Sequence, residues 1–135
     1  HMLTAPYIEV AADGKTAQGL WDSPGAVGGV HPDHSDGLMM YEKYGVDFMK
    51  EDVEWKIWHL QEFTELDAPV AASWVKENPF PTLPEFAALA ELSLPAPTVP
   101  AQLYEVYSPQ REYTAPPRMP EAYDTFANTF SYGME

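Results

Sequence analysis

The sequence of 135 residues contains no cysteine. That excludes disulfide staples, thiolate nucleophiles and cysteine-ligated zinc, and it is compatible with a reducing compartment. No apolar run approaches the roughly 20 residues of a membrane-spanning helix, and no secretory signal pattern opens the chain. Basic residues are scarce. Seven Lys and Arg stand against 21 Asp and Glu, for a formal charge of −14. Such a chain is repelled by nucleic acid and by anionic membranes, so neither is expected as a partner, and a cytoplasmic location is the expectation. There is no Gly-rich phosphate loop and no nucleophilic-serine motif.

Hydrophobic residues make up 45% and aromatics 13%, enough for a packed core. The chain divides by composition into two zones. Residues 1–64 are dense in β-branched and aromatic residues, whereas residues 65–135 hold most of the 14 prolines. In the first zone, Tyr7-Ile8-Glu9-Val10 and Thr16 to Trp21 read as strands around an Asp13-Gly14 turn, a strong hairpin signal. The stretch from Ser23-Pro24-Gly25 to Asp36-Gly37 reads as a loop. A long strand is expected over Leu38–Lys50, and after a turn at Glu51–Glu54 a fourth returns over Trp55–Phe63.

Alternation places Asp47 on the side of Met39 and Tyr41, and His59 on the side of Trp55 and Ile57. Both faces of these long strands carry large apolar residues, so both need cover. Helices are expected at Pro69–Lys76 and Pro84–Leu92, but they are too short to supply it. The chain therefore reads as part of a larger unit. Beyond Asn78, aromatics at irregular spacing among prolines read as an extended arm wrapping its own domain or a neighbouring subunit, with a disordered tail as the alternative.

Thr4-Ala5-Pro6-Tyr7-Ile8-Glu9-Val10 with Asp13 to Trp21 resembles the first two sheet strands of SnoaL-like proteins. Tyr44 to Asp52 with Glu54-Trp55-Lys56-Ile57 resembles their closing hairpin. Pro69, Ser73-Trp74, Tyr107-Ser108-Pro109 and Pro120 to Phe126 are similar to the extended C-terminus of one bacterial subgroup. The resemblance implies the nuclear-transport-factor-two-like superfamily. Its α+β fold is a curved antiparallel sheet, a cone-like half-barrel, here with short helices and a C-terminal arm. Family members open with helices that this chain lacks, which again implies a partial domain.

The resemblance also implies cofactor-independent lyase or isomerase chemistry of the dehydratase or cyclase type, on a hydrophobic carbonyl or aromatic substrate. A His beside a carboxylate would move the proton. His1 matches the position of a catalytic His that precedes the first strand in dehydratase members, although His1-Met2 also reads as an expression remnant. The family's usual Tyr and Asp partners lie on the missing helices, and Gly25 stands where some members carry a carboxylate.

The residues themselves add His59 as a candidate base, with a structural histidine as the alternative, and Asp47 as its candidate partner. Met39, Tyr41, Tyr44, Trp55 and Trp58 are candidates to line a pocket for a flat hydrophobic ligand, or to form plain core. His31-Pro32-Asp33-His34-Ser35-Asp36 has metal-ligating residue types, but a Gly-flanked loop fixes no ligand geometry, and no metal site is expected. The alternative function is a ligand-binding or assembly subunit, homo- or hetero-oligomeric, packing on a partner that supplies the missing helices.

Overall fold

The Asp13-Gly14 turn forms as its residues dictate. Gly14 adopts φ +68°, its N–H donates to the Ala11 carbonyl at 2.8 Å, and the Asp13 carboxylate accepts from the Lys15 N–H at 2.9 Å. In a computed structural model of the chain, the described residues are 1–28, 37–71 and 117–133. These residues hold four strands: β1 (Thr4–Val10), β2 (Thr16–Gly28), β3 (Gly37–Glu51) and β4 (Glu54–Pro69). They form one antiparallel sheet in the order β1-β2-β3-β4, curved and open, with β1 and β4 at its edges. The described residues hold no α-helix, only one 3-10 turn at Phe126–Asn128. No helix among them is long and apolar enough to cross a membrane.

The expected loop beginning at Ser23 is corrected. β2 runs on to Gly28, paired with β3 without interruption from Thr16↔Met49 to Gly28↔Gly37. Pro24 is tolerated for a geometric reason. Its carbonyl accepts the Met2 N–H, so its backbone polar groups point away from β3 and its missing N–H interrupts no bond to that strand. β4 likewise continues beyond Phe63 to Pro69, past the compositional boundary near residue 64. The helix expected to start at Pro69 is replaced there by the end of β4 and a turn, while its remainder, the Pro84–Leu92 helix and the His31–Asp36 cluster lie outside the described residues.

The second correction concerns which way β4 faces. Asp47 pairs with His59 and the next register pair is Phe48↔Ile57, so Trp58 is an extra residue, a β-bulge. The bulge turns His59 to the side of Asp47 and leaves Ile57 and Trp55 on the other. Strict alternation had grouped all three.

The described part of the arm, residues 117–133, is a strap lying across one face of the sheet. Gly45 lets it approach: a Cβ there would sit 2.3 Å from the Tyr132 ring, which lies directly on the β3 backbone. One buried apolar cluster forms between sheet and strap. Tyr132 is fully buried with Leu20 and Phe63, and Phe130 meets it edge-to-face at 5.0 Å. The Tyr132 hydroxyl donates to the Arg118 carbonyl at 2.7 Å, closing the strap on itself. The opposite, open face is open only along its edge strands: Ile8 and Val10 of β1 and Trp55, Ile57 and Leu60 of β4 are exposed, while Ala17, Leu38, Met40, Glu42 and Val46 between them are buried.

Candidate functional site

Under the strap, Gln18, Asp47 and His59 come together from three adjacent strands, and Ser131 joins them from above. Asp47 is fully buried. Its Oδ2 lies 3.0 Å from His59 Nδ1 and accepts the Ser131 hydroxyl proton at 2.6 Å, while Oδ1 accepts from Gln18 Nε2 at 3.1 Å. A buried carboxylate is tolerable only when its lone pairs are met in this way. The Gln18 amide is fixed in turn. Its nitrogen also donates to the Phe130 carbonyl at 2.6 Å, and its oxygen accepts from Thr129 Oγ1 at 3.1 Å.

Because a carboxylate only accepts, His59 Nδ1 carries the hydrogen in this pair. Nε2 has no hydrogen-bond partner among the described residues, and the side chain is 28% exposed. Trp58 stacks on the imidazole with ring centroids 4.4 Å apart, and Phe126 of the strap lies 4.6 Å from Trp58. Gly133 packs against the same imidazole, where a Cβ would come within 2.5 Å.

Ser131, His59 and Asp47 have the residue types of a nucleophilic triad but not its geometry. In a triad the serine and the aspartate occupy opposite ring nitrogens, so that the imidazole relays between them. Here both approach Nδ1, with Ser131 Oγ 3.3 Å from it. Nothing in this contact activates the hydroxyl. The arrangement is a carboxylate–imidazole dyad whose second ring nitrogen has the chemistry to accept or deliver a proton.

His1 lies elsewhere. Its Nδ1 is 2.9 Å from Glu42 Oε2, to which the Tyr44 hydroxyl also donates at 3.0 Å. Glu42 and Tyr44 alternate with Asp47 along β3, so this cluster occupies the open face and the sheet separates it from the dyad. Gly25 lies beneath His1, with its virtual Cβ 3.2 Å from Nδ1. Burial raises the Tyr44 phenol pKa, helped by the carboxylates of Glu62 and Glu42, so Tyr44 stays a proton donor.

The expected ligand-lining set divides in the same way. Met39, Tyr41 and Trp58 fall on the strap face, and Tyr44 and Trp55 on the open face. They do not line one pocket. A cavity of about 270 Å³ is lined by Arg118, Glu121, Tyr123, Asn128, Thr129 and Phe130, and it does not include the dyad. Gln18, Ser131 and Gly133 were not singled out by the sequence. The one signal for Gln18 is a polar residue on the same strand face as Leu20.

Comparison of the chain with models of protein families, with curated proteins and with solved structures gives no match.

Proposed function

We propose that this chain carries the proton-transfer dyad of a cofactor-independent lyase or isomerase acting on a hydrophobic carbonyl or aromatic small molecule. One observation carries the reading. A fully buried Asp47 holds His59 through Nδ1 and leaves Nε2, at a partly exposed ring, without a hydrogen-bond partner among the described residues. Imidazole titrates near neutral pH as a class, which suits both removal and return of a proton beside a carbonyl. Trp58 and Phe126 give an apolar aromatic border on which a flat substrate would stack. In this reading the open sheet is one wall of an α+β, SnoaL-like cone in a cytoplasmic protein, as the resemblance of β1, β2 and the β3–β4 hairpin implies.

The test is deuterium uptake next to the carbonyl of a panel of aryl ketones in D2O, followed by proton NMR. The expected result is acceleration by the wild-type protein and a loss of about 10²–10⁴-fold in H59A, the usual contribution of a general base. Unimpaired exchange in H59A removes His59 from the mechanism.

A second reading, an assembly subunit, is favoured by a separate observation. Ile8 and Val10 on β1 and Trp55, Ile57 and Leu60 on β4 expose apolar side chains along the two edges of the open face. Large apolar side chains exposed in a group along a sheet edge mark a contact surface. This reading expects a native mass above that of one chain, and a well-folded monomer would exclude it.

A further inference from the structure

We infer that Ser131 is a positioning residue that sets the strength of the Asp47–His59 pair, so that seating the strap moderates the imidazole's hold on its proton. The inference rests on the proposed role of His59 as a base, but its readout needs no substrate.

Protons and lone pairs decide the pairing. A serine hydroxyl has one hydrogen to give. Ser131 directs it to Asp47 Oδ2 at 2.6 Å and accepts the Gly133 N–H at 3.1 Å. It therefore has no hydrogen for His59 Nδ1, 3.3 Å away, and His59 and Ser131 both donate to Oδ2. Two donors on one carboxylate oxygen divide its charge, so the bond from His59 is weaker than it would be with Oδ2 to itself. A base that must return its proton benefits from this moderation, because too strong an ion pair would trap the imidazolium.

The neighbouring strap residues fix the other half of the carboxylate. Thr129 donates to Gln18 Oε1, which obliges the Gln18 amide nitrogen to face Asp47 Oδ1 and the Phe130 carbonyl. Three consecutive strap residues thus determine what Asp47 presents to His59. Among the described residues Asp47 is the only ionisable side chain that hydrogen-bonds or ion-pairs with the imidazole. The Tyr123 phenol also feels Asp47: burial raises its pKa, the Thr16 hydrogen bond lowers it, and the Asp47 charge adds to the rise.

The experiment is proton and ¹⁵N NMR of the His59 ring in the full chain, as wild type, S131A and S131T. The expected wild-type signature is a protonated Nδ1 and an unprotonated Nε2. In S131A the Nδ1 proton resonance moves downfield, because Asp47 Oδ2 loses its second donor, and S131T restores the wild-type position. Tyr132 and Trp58 ring signals report in the same spectra whether the strap stays docked. An unchanged or upfield Nδ1 proton in S131A with the strap docked overturns the inference. So does release of the strap, which would make Ser131 an anchor only. The expected NMR signature without ketone exchange by the wild type would leave this inference standing and refute the enzymatic reading.

Discussion

Replacing Gly45 by Ala tests the packing that holds the strap over the dyad. The added Cβ would lie 2.3 Å from Tyr132 Cδ1 and 2.6 Å from Cγ and Cε1, well inside van der Waals contact. Tyr132 is fully buried, so its ring has no open space to enter. Overpacking of this kind costs about 1–3 kcal/mol. Expelling the ring would forfeit about 3–5 kcal/mol of aromatic burial together with about 1 kcal/mol for the hydroxyl bond to Arg118. The strain is the smaller quantity, so the strap should stay docked but strained. Removing a strand glycine returns about 0.5–1 kcal/mol, leaving a net loss of about 1–2 kcal/mol. With a urea slope of about 2 kcal/mol per molar, the unfolding midpoint should fall by about 0.5–1 M. The clash has a named partner, which a double-mutant cycle isolates: in a Y132A background the same substitution should cost nothing or stabilise. A G45A protein as stable as wild type, or a cost that persists in Y132A, would refute the stacking of Tyr132 on Gly45.

Two further outcomes follow from other parts of the fold. Burial first, then the carboxylates of Glu62 and Glu42, raise the Tyr44 phenol above its unfolded value near 10, and burial raises Tyr123 as well. A raised folded pKa means stability that is complete below the unfolded value and is lost as pH climbs through the folded one. Stability should therefore decline above about pH 10, with late-titrating tyrosines in the ultraviolet absorbance of the native protein and none in urea. On the open face, Ile57 is 62% exposed, so I57K should change monomer stability by no more than about 0.5 kcal/mol. If that face is a contact surface, the same variant should lower the native mass in sedimentation, and an unchanged assembly would place the contact elsewhere.

The hairpins were legible because their signals are local. Asp13-Gly14 requires a turn, and the long runs after Leu38 and Trp55 permit little besides paired strands. Asp47 and His59 could be named as a pair, but the reason they meet is not periodic. It is the bulge at Trp58, and an extra residue is invisible to a period-two reading until the register with β3 is known. Pro24 misled for a similar reason, since whether a proline breaks a strand depends on which side its missing N–H faces. Ser131 carried no signal at all. Its partner is 84 residues away, and Phe130-Ser131-Tyr132 gives no hint that the serine points to a buried carboxylate.

The strap has a consequence for how the molecule folds. Each hairpin joins neighbours in sequence, so the meander assembles from short loops, whereas Gln18 meets Phe130 across a separation of 112 residues. Closing that span is slow relative to zipping a hairpin, and it contributes nothing until the sheet offers Gly45, Leu20 and Asp47 as a landing site. The chain should therefore pass through a state with the meander formed and the strap free. Reopening of that same contact in the native protein would then be a local event, detectable by hydrogen exchange in residues 126–133 at a lower free energy than unfolding of β2 and β3.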